Sequence, residues 1–235
     1  MSRTSNGSAS DALSRRERER RARRHAMLDA ARAVFAEKGY ARATIDEIAT
    51  RAEFGKGTLY NYFDGGKEAI LYAIFDELYD DVCDLLQTSF NEAAVEENGL
   101  RAAFREFVKE AFSFFRARED LFLILTKEAY RLAFSEDPER AAYFRAQQER
   151  MVGMLVPVLE QAMEAGTIRT LPPRSVAHML LENVNGMVVH RCLTERMQQA
   201  QSEDLPSVCT PSGLLDRPSD AADFVTAMLF DGLQL

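Results

Sequence analysis

This sequence has few cysteines and no long apolar run, and each of these features excludes a class of protein. The three cysteines, Cys83, Cys192 and Cys209, are widely spaced and form no CxxC pair, which predicts free buried thiols instead of a disulfide framework or zinc site. No apolar stretch reaches the roughly 20 residues that a membrane span needs. The first residues lack the apolar core of a secretory signal. We therefore expect a cytoplasmic protein without a membrane span.

Catalytic groupings are also lacking. The three histidines, His25, His178 and His190, are isolated along the sequence. The last two would lie roughly 120° apart around one helix, which makes them a poor metal pair. We find neither a Ser, His, Asp grouping nor a glycine-rich phosphate loop. The sequence therefore predicts that the chain is not an enzyme and that it has no metal and no cofactor.

The charge is distributed unevenly along the chain. The net charge is −8, but residues 1–67 contain 14 Lys or Arg against 9 Asp or Glu, a net charge of +5, which leaves −13 for residues 68–235. Arginines are concentrated between Arg15 and Arg24. A polyanion would be attracted to the basic head and repelled by the acidic body, as expected of a DNA-binding domain joined to a sensor domain.

Helical periodicity runs through the whole sequence, and no segment shows sustained alternation of polar and apolar residues. We therefore predict an all-α fold of about nine helices. After a disordered tail at residues 1–13, the first helix should run from Ser14 to a glycine cap at Gly39. Thr44 and Glu47 fit a capping box that opens a second, short helix ending near Ala52. A third helix is predicted over residues 56–63.

A long helix is predicted from Lys67 to about Asn91. Pro157 should kink one of the helices that follow it, and the stretch 201–218 is predicted to be a loop because of its prolines and serines. The later helices are expected at residues 99–117, 119–134, 138–165, 173–195 and 218–233.

Two short helices after a supporting helix form the layout that sets a recognition helix into the major groove. The text MLDAARAVFAEKGYARATIDEIATRAEFGKGTLYNYF at residues 27–63, followed by GGKEAIL, has this layout. It closely resembles the DNA-binding head of the TetR family of repressors. The resemblance implies a helix-turn-helix domain over residues 14–66 and a ligand-binding and dimerisation domain over residues 67–235.

Residues of the third helix and its flanks are candidates for DNA contact. Gly57 allows close approach of the backbone, and Lys56 and Thr58 can donate to bases or phosphates. The resemblance assigns phosphate contacts to Thr44 and Lys67. The aromatic residues have an alternative role in packing, and Lys67 has one as a solvated lysine. The predicted DNA-contacting residues are Thr44, Lys56, Gly57, Thr58, Tyr60, Asn61, Tyr62 and Lys67.

Two departures from the family pattern lie in the head. Glu53 and Gly55 stand where the family commonly has a glycine and then a serine or threonine, so the left-handed turn residue and the helix cap are altered. The link Asp64-Gly65-Gly66 is one residue longer than usual. Both departures bear on the detailed geometry of DNA contact.

The resemblance further implies that the second domain binds a small lipophilic molecule and dimerises through its last two helices. Its interior is rich in Phe and Met, which serve as core residues or as a lining for an apolar or aromatic ligand. The ligand-binding candidates are Phe107, Phe122, Thr126, Glu128, Tyr130, Met151, Asn183 and Met187. The dimer-interface candidates are Met179, Val184, Val188, Phe224 and Met228.

Together these features predict a homodimeric regulator that binds double-stranded operator DNA and responds to a small-molecule effector. Repression is the commoner outcome in the family. The alternative is an all-helical small-molecule binding or interaction protein that does not bind DNA, and the altered turn at Glu53 keeps it open. Salt-sensitive binding to duplex DNA separates the two hypotheses.

Overall fold

All regular secondary structure in the described part of the chain is helical, which confirms the all-α prediction. The computed structural model describes residues 15–200 and 217–231, without the side chains of residues 120 and 192–200. The predicted tail at residues 1–13, most of the 201–218 loop, the Cys192 side chain and Cys209 lie outside these residues. The helices are α1 (Arg15–Lys38), α2 (Ile45–Arg51), α3 (Lys56–Tyr62), α4 (Gly66–Ser89), α5 (Glu92–Arg116), α6 (Glu119–Ala133), α7 (Pro138–Glu164), α8 (Pro173–Ala200) and α9 (Pro218–Asp231).

Helix α5 starts seven residues before the predicted position. Its N-cap is Asn91, whose side chain accepts a hydrogen bond of 2.9 Å from the Ala94 amide. Gly99 then interrupts the helix with φ 79°. The segment before Gly99 is too polar to show an apolar stripe, so periodicity alone detects only the part that follows the glycine.

The chain divides into two compact units, one up to Ile74 and one from Phe75, and the division falls within α4. The core of the first unit is built from α1, α2, α3 and the first turns of α4. Its largest fully buried side chains are Met27, Leu28, Phe35, Ile48, Leu59, Ile70, Leu71 and Ile74.

In the second unit α5 packs on α9, and α7 packs on α8 and α6. The rings of Phe104 and Phe230 lie 5.4 Å apart between α5 and α9. An ion pair of 2.5 Å between Arg105 Nε and Asp223 Oδ1 joins the same two helices at their surface. Its hydrogen bond lowers the pKa of Asp223 and raises that of Arg105. Helix α7 continues across Pro157.

Cys83 is a free, buried thiol in α4, as predicted for this cysteine. Burial raises its pKa, which keeps the thiol protonated near neutral pH and unreactive. No helix in the ranges 15–200 and 217–231 combines the length and the apolar character that crossing a membrane requires.

The turn between α2 and α3 is a Schellman motif with a glutamate at its left-handed position. The Phe54 amide donates to the Ala49 carbonyl at 3.0 Å, and the Glu53 amide donates to the Thr50 carbonyl at 3.2 Å. Glu53 has φ 59°, and within the described ranges it is the only residue other than glycine with a positive φ. Left-handed backbone costs a residue with a Cβ roughly 1–2 kcal/mol, so this turn is strained.

Replacing Glu53 with glycine should relieve that strain. Because glycine also loses more freedom on folding, we expect a net gain of about 0.5–1 kcal/mol for Glu53→Gly. Amide hydrogen exchange in α2 and α3 should slow several-fold, since it reports local opening. The control is Glu53→Ala, which removes the same carboxylate but keeps a Cβ and should give no such gain. Equal protection in both variants would show that the backbone of Glu53 is unstrained.

Candidate nucleic-acid interface and ligand pocket

The start of α2 is fixed by the predicted capping box. Thr44 Oγ1 accepts a hydrogen bond from the Glu47 amide at 3.3 Å, and the Glu47 carboxylate accepts one from the Thr44 amide at 3.0 Å. A hydrogen bond of 2.6 Å from Lys38 is the main cause that lowers the pKa of Glu47, and the bonds from Thr44 add to it. Since a hydroxyl that accepts can also donate, exposed Thr44 retains a donor for a phosphate.

One face of α3 is open to solvent and the opposite face is buried. Lys56, Gly57, Tyr60 and Asn61 are exposed, and their spacing of one and four residues puts them on the same side of the helix. Leu59, on the other side, is buried at 1% exposure. Thr58 and Tyr62 are half-buried between the two faces. The exposed face is therefore the part of α3 that is free to enter a groove.

Gly57 is not required by packing. A Cβ at this position would meet no atom within 4 Å, and its φ is not in the left-handed region. No neighbouring atom inside the unit therefore requires a glycine at this position. The missing side chain leaves the backbone of α3 open to close approach from outside.

Lys56 is held by a neighbouring carboxylate in the free protein. Its Nζ lies 2.9 Å from Asp46 Oδ1 at the start of α2 and donates a hydrogen bond of 3.1 Å to Asp46 Oδ2. This hydrogen bond is the main cause that raises the pKa of Lys56. Both side chains are more than half exposed. An exposed pair of this kind is weak, so a phosphate or a base acceptor can replace Asp46.

Lys67 has a different environment from the phosphate contact that the resemblance implies. Its Nζ donates to the carbonyls of Tyr40 at 2.8 Å and Ala43 at 2.9 Å, with a longer contact of 3.4 Å to Ala41. It also lies 4.5 Å from the centre of the Tyr40 ring. The ammonium therefore stabilises the turn between α1 and α2, and its hydrogen-bonding capacity is used inside the unit.

The lengthened link before α4 positions Tyr60. Gly66 has φ 62°, and a Cβ at this glycine would stand 3.3 Å from Cε1 of the Tyr60 ring. Glycine is thus needed both for the backbone conformation and for the approach of the ring. Tyr60 nevertheless remains 44% exposed.

The second unit contains a cavity of about 460 Å³. Helices α4, α5, α6, α7 and α8 all contribute to its wall, which is mainly aromatic and aliphatic. Five of the ligand-binding candidates line it, namely Phe107, Phe122, Thr126, Tyr130 and Met151. Its size and lining are typical of a site for a small apolar molecule.

Three ligand-binding candidates lie outside this lining. The Glu128 carboxylate is buried and accepts a 2.6 Å hydrogen bond from Arg131. Asn183 donates to the Met179 carbonyl at 2.8 Å, and Met187 packs against the apolar core. Glu128 follows Thr126 by two residues, which rotates its side chain by about 200° around α6 and away from the cavity.

Polar side chains missing from the predicted set also line the cavity. Gln148 donates to Glu182 at 2.8 Å, and Tyr79 and Arg145 lie in the same wall. Burial, with a smaller effect of Glu182, raises the pKa of Tyr79 to about 12, so its phenol remains a neutral hydrogen-bond donor at physiological pH. The helical periodicity of a sequence identifies the apolar face of each helix separately. It does not show which faces of different helices meet at a cavity.

The dimer-interface candidates divide into two groups. Met179 on α8 and Phe224 and Met228 on α9 are large apolar side chains with 60%, 46% and 50% exposure. Val184 and Val188 instead lie in the core of their own subunit at 4% and 2% exposure, because their face of α8 is turned inward. Of the five candidates, the exposed three are the ones able to meet a partner.

Comparison with known proteins agrees with this architecture. Residues 27–74 match the family described as bacterial regulatory proteins, tetR family. The A-factor receptor protein of Streptomyces griseus is 53% identical over 51 residues, which cover 22% of this chain and 18% of that protein. The HTH-type transcriptional repressor AcnR of Corynebacterium efficiens is 28% identical over 187 residues, or 80% of this chain and 90% of the repressor.

The fold also matches a solved regulator. The transcriptional regulator FadR from Bacillus subtilis, in complex with stearoyl-CoA, has a TM-score of 0.65 with 21% identity, covering 89% of this chain and 99% of that one. The all-helical fold with a helix-turn-helix head is thus shared with known transcriptional regulators. Residues 27–74 thus form a DNA-binding head of the kind that defines the tetR family of bacterial regulatory proteins, and the chain is a DNA-binding transcriptional regulator.

Removal of the Lys67 ammonium should destabilise the head. Lys67→Met retains the aliphatic chain but leaves the carbonyls of the α1–α2 turn without their donor. Hydrogen bonds to a charged group contribute roughly 1.5–3 kcal/mol each, and we expect a loss of about this size overall. Hydrogen exchange should accelerate in α1 and α2. The control, Lys56→Met, breaks only an exposed pair and should have little effect on exchange. Equal protection in both variants would contradict the structural role of Lys67.

Proposed function

We propose that two copies of this chain bind a two-fold-symmetric operator in the cytoplasm and repress transcription. We further propose that an apolar or aromatic small molecule in the cavity of the second unit releases the dimer from DNA. The observation that carries the proposal is the exposed face of α3, formed by Lys56, Gly57, Tyr60 and Asn61.

Each residue on that face has a role that its chemistry suits. Lys56 and Asn61 can read base edges in the major groove. Tyr60 can bind a phosphate through its hydroxyl or pack on a thymine methyl, while Gly57 allows the backbone close to the duplex. Thr58 and Tyr62, at the border of the face, and Thr44, at the start of α2, are assigned to phosphates. Lys67 is left out, since backbone carbonyls already occupy its ammonium.

The cavity lining indicates the class of ligand. Aromatic and aliphatic side chains dominate the wall, and Tyr79 and Thr126 supply hydroxyl groups that can orient a ligand. The Bacillus subtilis regulator of the same fold was solved with a lipophilic thioester, stearoyl-CoA. A lipophilic or aromatic effector is therefore the proposal that the lining supports best.

Helix α4 is the proposed link between ligand and DNA. Phe75, Leu78, Tyr79 and Val82 of α4 line the cavity, and the same helix begins at Gly66, shortly after α3 in the chain. A ligand that displaces this wall would move the first turn of α4 and the head attached to it. By linkage, DNA must weaken ligand binding by the same factor by which the ligand weakens DNA binding.

Dimerisation is proposed through the exposed apolar side chains of α8 and α9. Met179, Phe224 and Met228 would be covered by the same residues of a second copy, as in an isologous interface. Two recognition helices about 34 Å apart can then enter successive major grooves on one face of the duplex. A single copy would present only one.

The regulator hypothesis is tested by salt titration of binding to duplex DNA from upstream of the gene that encodes the chain. We expect Lys56→Ala with Tyr60→Ala to weaken selective binding at least tenfold, because a lost base contact costs about 1–3 kcal/mol. Lys127→Ala, which removes an exposed lysine of α6, is the control and should bind as wild type does. A folded dimer without affinity for this or any selected duplex would favour the non-DNA-binding alternative.

Filling the cavity should separate DNA binding from ligand response. Ala129 lines the cavity, so Ala129→Phe places a ring where a ligand would bind. We expect unchanged operator affinity but loss of release by long-chain acyl and two-ring aromatic probes, measured by fluorescence anisotropy of labelled DNA. The control, Ala142→Phe, adds the same ring at an exposed site of α7. Release that is equal in both variants would place the effector elsewhere.

A further inference from the structure

The wall of the cavity includes a phenol hydroxyl group that the protein itself does not use. Tyr79 on α4 lines the cavity and is half-buried. Within residues 15–200 and 217–231, its hydroxyl forms no hydrogen bond. A polar group that leaves water without gaining a partner costs free energy, and the hydroxyl of a buried tyrosine usually has a partner. The Tyr79 hydroxyl is therefore available to a molecule bound in the cavity.

The ring of Tyr79 is held by a neighbouring ring on α7. Its centre lies 6.4 Å from the centre of the Tyr143 ring, in an edge-to-face arrangement. Tyr143 is itself fixed by a hydrogen bond of 2.8 Å from its hydroxyl to Asp76 Oδ1. Because burial raises the pKa of Tyr79 to about 12, its hydroxyl keeps its proton near neutral pH. Tyr79 thus offers an oriented, neutral hydrogen-bond donor.

An acceptor lies near this donor in the same wall. Glu182 on α8 also lines the cavity, and its carboxylate is close enough to Tyr79 to add to the rise of the tyrosine pKa. Gln148 on α7 donates a hydrogen bond of 2.8 Å to Glu182 Oε1. No other hydrogen bond reaches the Glu182 carboxylate from the part of the chain that the structure describes, so Oε2 can still accept one.

The charges in the wall favour a neutral ligand. Arg145 lies on α7, three residues before Gln148, and lines the cavity as Glu182 does. It forms no ion pair with any residue in the described ranges. Arg145 and Glu182 are both exposed, so the rim of the cavity carries one charge of each sign. A ligand with a net charge would be attracted by one of them and repelled by the other.

A hydroxyl group on the ligand would satisfy both unused protein groups. It can accept a hydrogen bond from Tyr79 and donate one to Glu182, because a hydroxyl is both an acceptor and a donor. An ether oxygen can only accept, and it leaves the Glu182 oxygen unused. A carboxylate on the ligand can only accept as well, and the charge of Glu182 repels it. The aromatic and aliphatic remainder of the wall suits an apolar body.

We propose that the effector is a neutral, apolar alcohol or phenol, and that Tyr79 and Glu182 recognise its hydroxyl group in the wall of the cavity. The proposal rests on the proposed binding of an effector in this cavity and narrows the chemical class of that effector. It assigns specificity to one donor and one acceptor, while the apolar lining supplies affinity without selecting the hydroxyl.

The test compares probes that share one two-ring body, namely para-phenylphenol, its methyl ether, para-phenylbenzoate and para-phenylbenzylamine. Calorimetric titration of the full chain without DNA measures the affinity for each probe. Wild type should bind the phenol about tenfold more tightly than the methyl ether, which is the effect of one hydrogen bond to a charged group. The benzoate and the amine should also bind more weakly than the phenol. Tighter binding of either charged probe would overturn the proposal.

Two variants assign the preference to the wall. Tyr79→Phe keeps the ring and removes the donor, while Glu182→Met keeps the length of the side chain and removes the acceptor. Each should lose most of the preference for the phenol over its ether. The matched control is Tyr143→Phe, which removes a phenol hydroxyl that is bonded to Asp76 and lies outside the lining. It should keep the preference. An undiminished preference in Tyr79→Phe would overturn the assignment.

The cavity-filling variant separates failure of this inference from failure of the proposed function. Ala129→Phe should abolish binding of all the probes, because its ring occupies the space of their body. If wild type binds the phenol and its ether equally and Ala129→Phe binds neither, the effector site stands and only the hydroxyl recognition fails. If none of the probes binds to wild type, the proposed effector site fails together with this inference. Phenol binding that persists in Ala129→Phe would place the preference outside the cavity and overturn the proposal.

Discussion

Helices α2 and α3 have seven residues each, which is too short for a helix to be stable in water without tertiary support. Their stability must therefore come from the inner face, where Ile48 and Leu59 are almost completely buried. This constraint governs the head, because the outer face of α3 is exposed and contributes no burial. Caps and turns supply the rest: the Thr44 box begins α2, and a Schellman motif ends it.

The parts of the head that were predictable from sequence are those whose partners are local. Thr44 and Glu47 are three residues apart, so their reciprocal hydrogen bonds can be inferred from residue types alone. Lys67 shows the opposite case. Its acceptors are backbone carbonyls 24 to 27 residues earlier, and no side-chain pattern marks a carbonyl as an acceptor. The family resemblance implied a phosphate contact for this lysine, whereas the fold gives its ammonium a structural role.

The cavity shows where periodicity ceases to be informative. An apolar stripe identifies the inner face of α5 or α6, and Phe107 and Phe122 were predictable in this way. Tyr79, Gln148 and Glu182 come from three different helices and meet only through tertiary packing. Glu128 lies in an apolar environment, as its sequence context indicates, but its carboxylate is turned toward Arg131. The burial of Glu128 could thus be predicted from sequence, but the direction in which its carboxylate points could not.

Electrostatics within the head also limits how tightly it can hold DNA. Lys56 is paired with Asp46 in the free protein, so binding a base or phosphate must replace that interaction, and the net gain is smaller than for an unpaired lysine. Coupling between two ligands of one protein is typically only about 1–3 kcal/mol, which changes affinity by roughly 5–150-fold. With Lys56 in its proposed base-reading role, its pairing with Asp46 would allow an effect of that size to release the head.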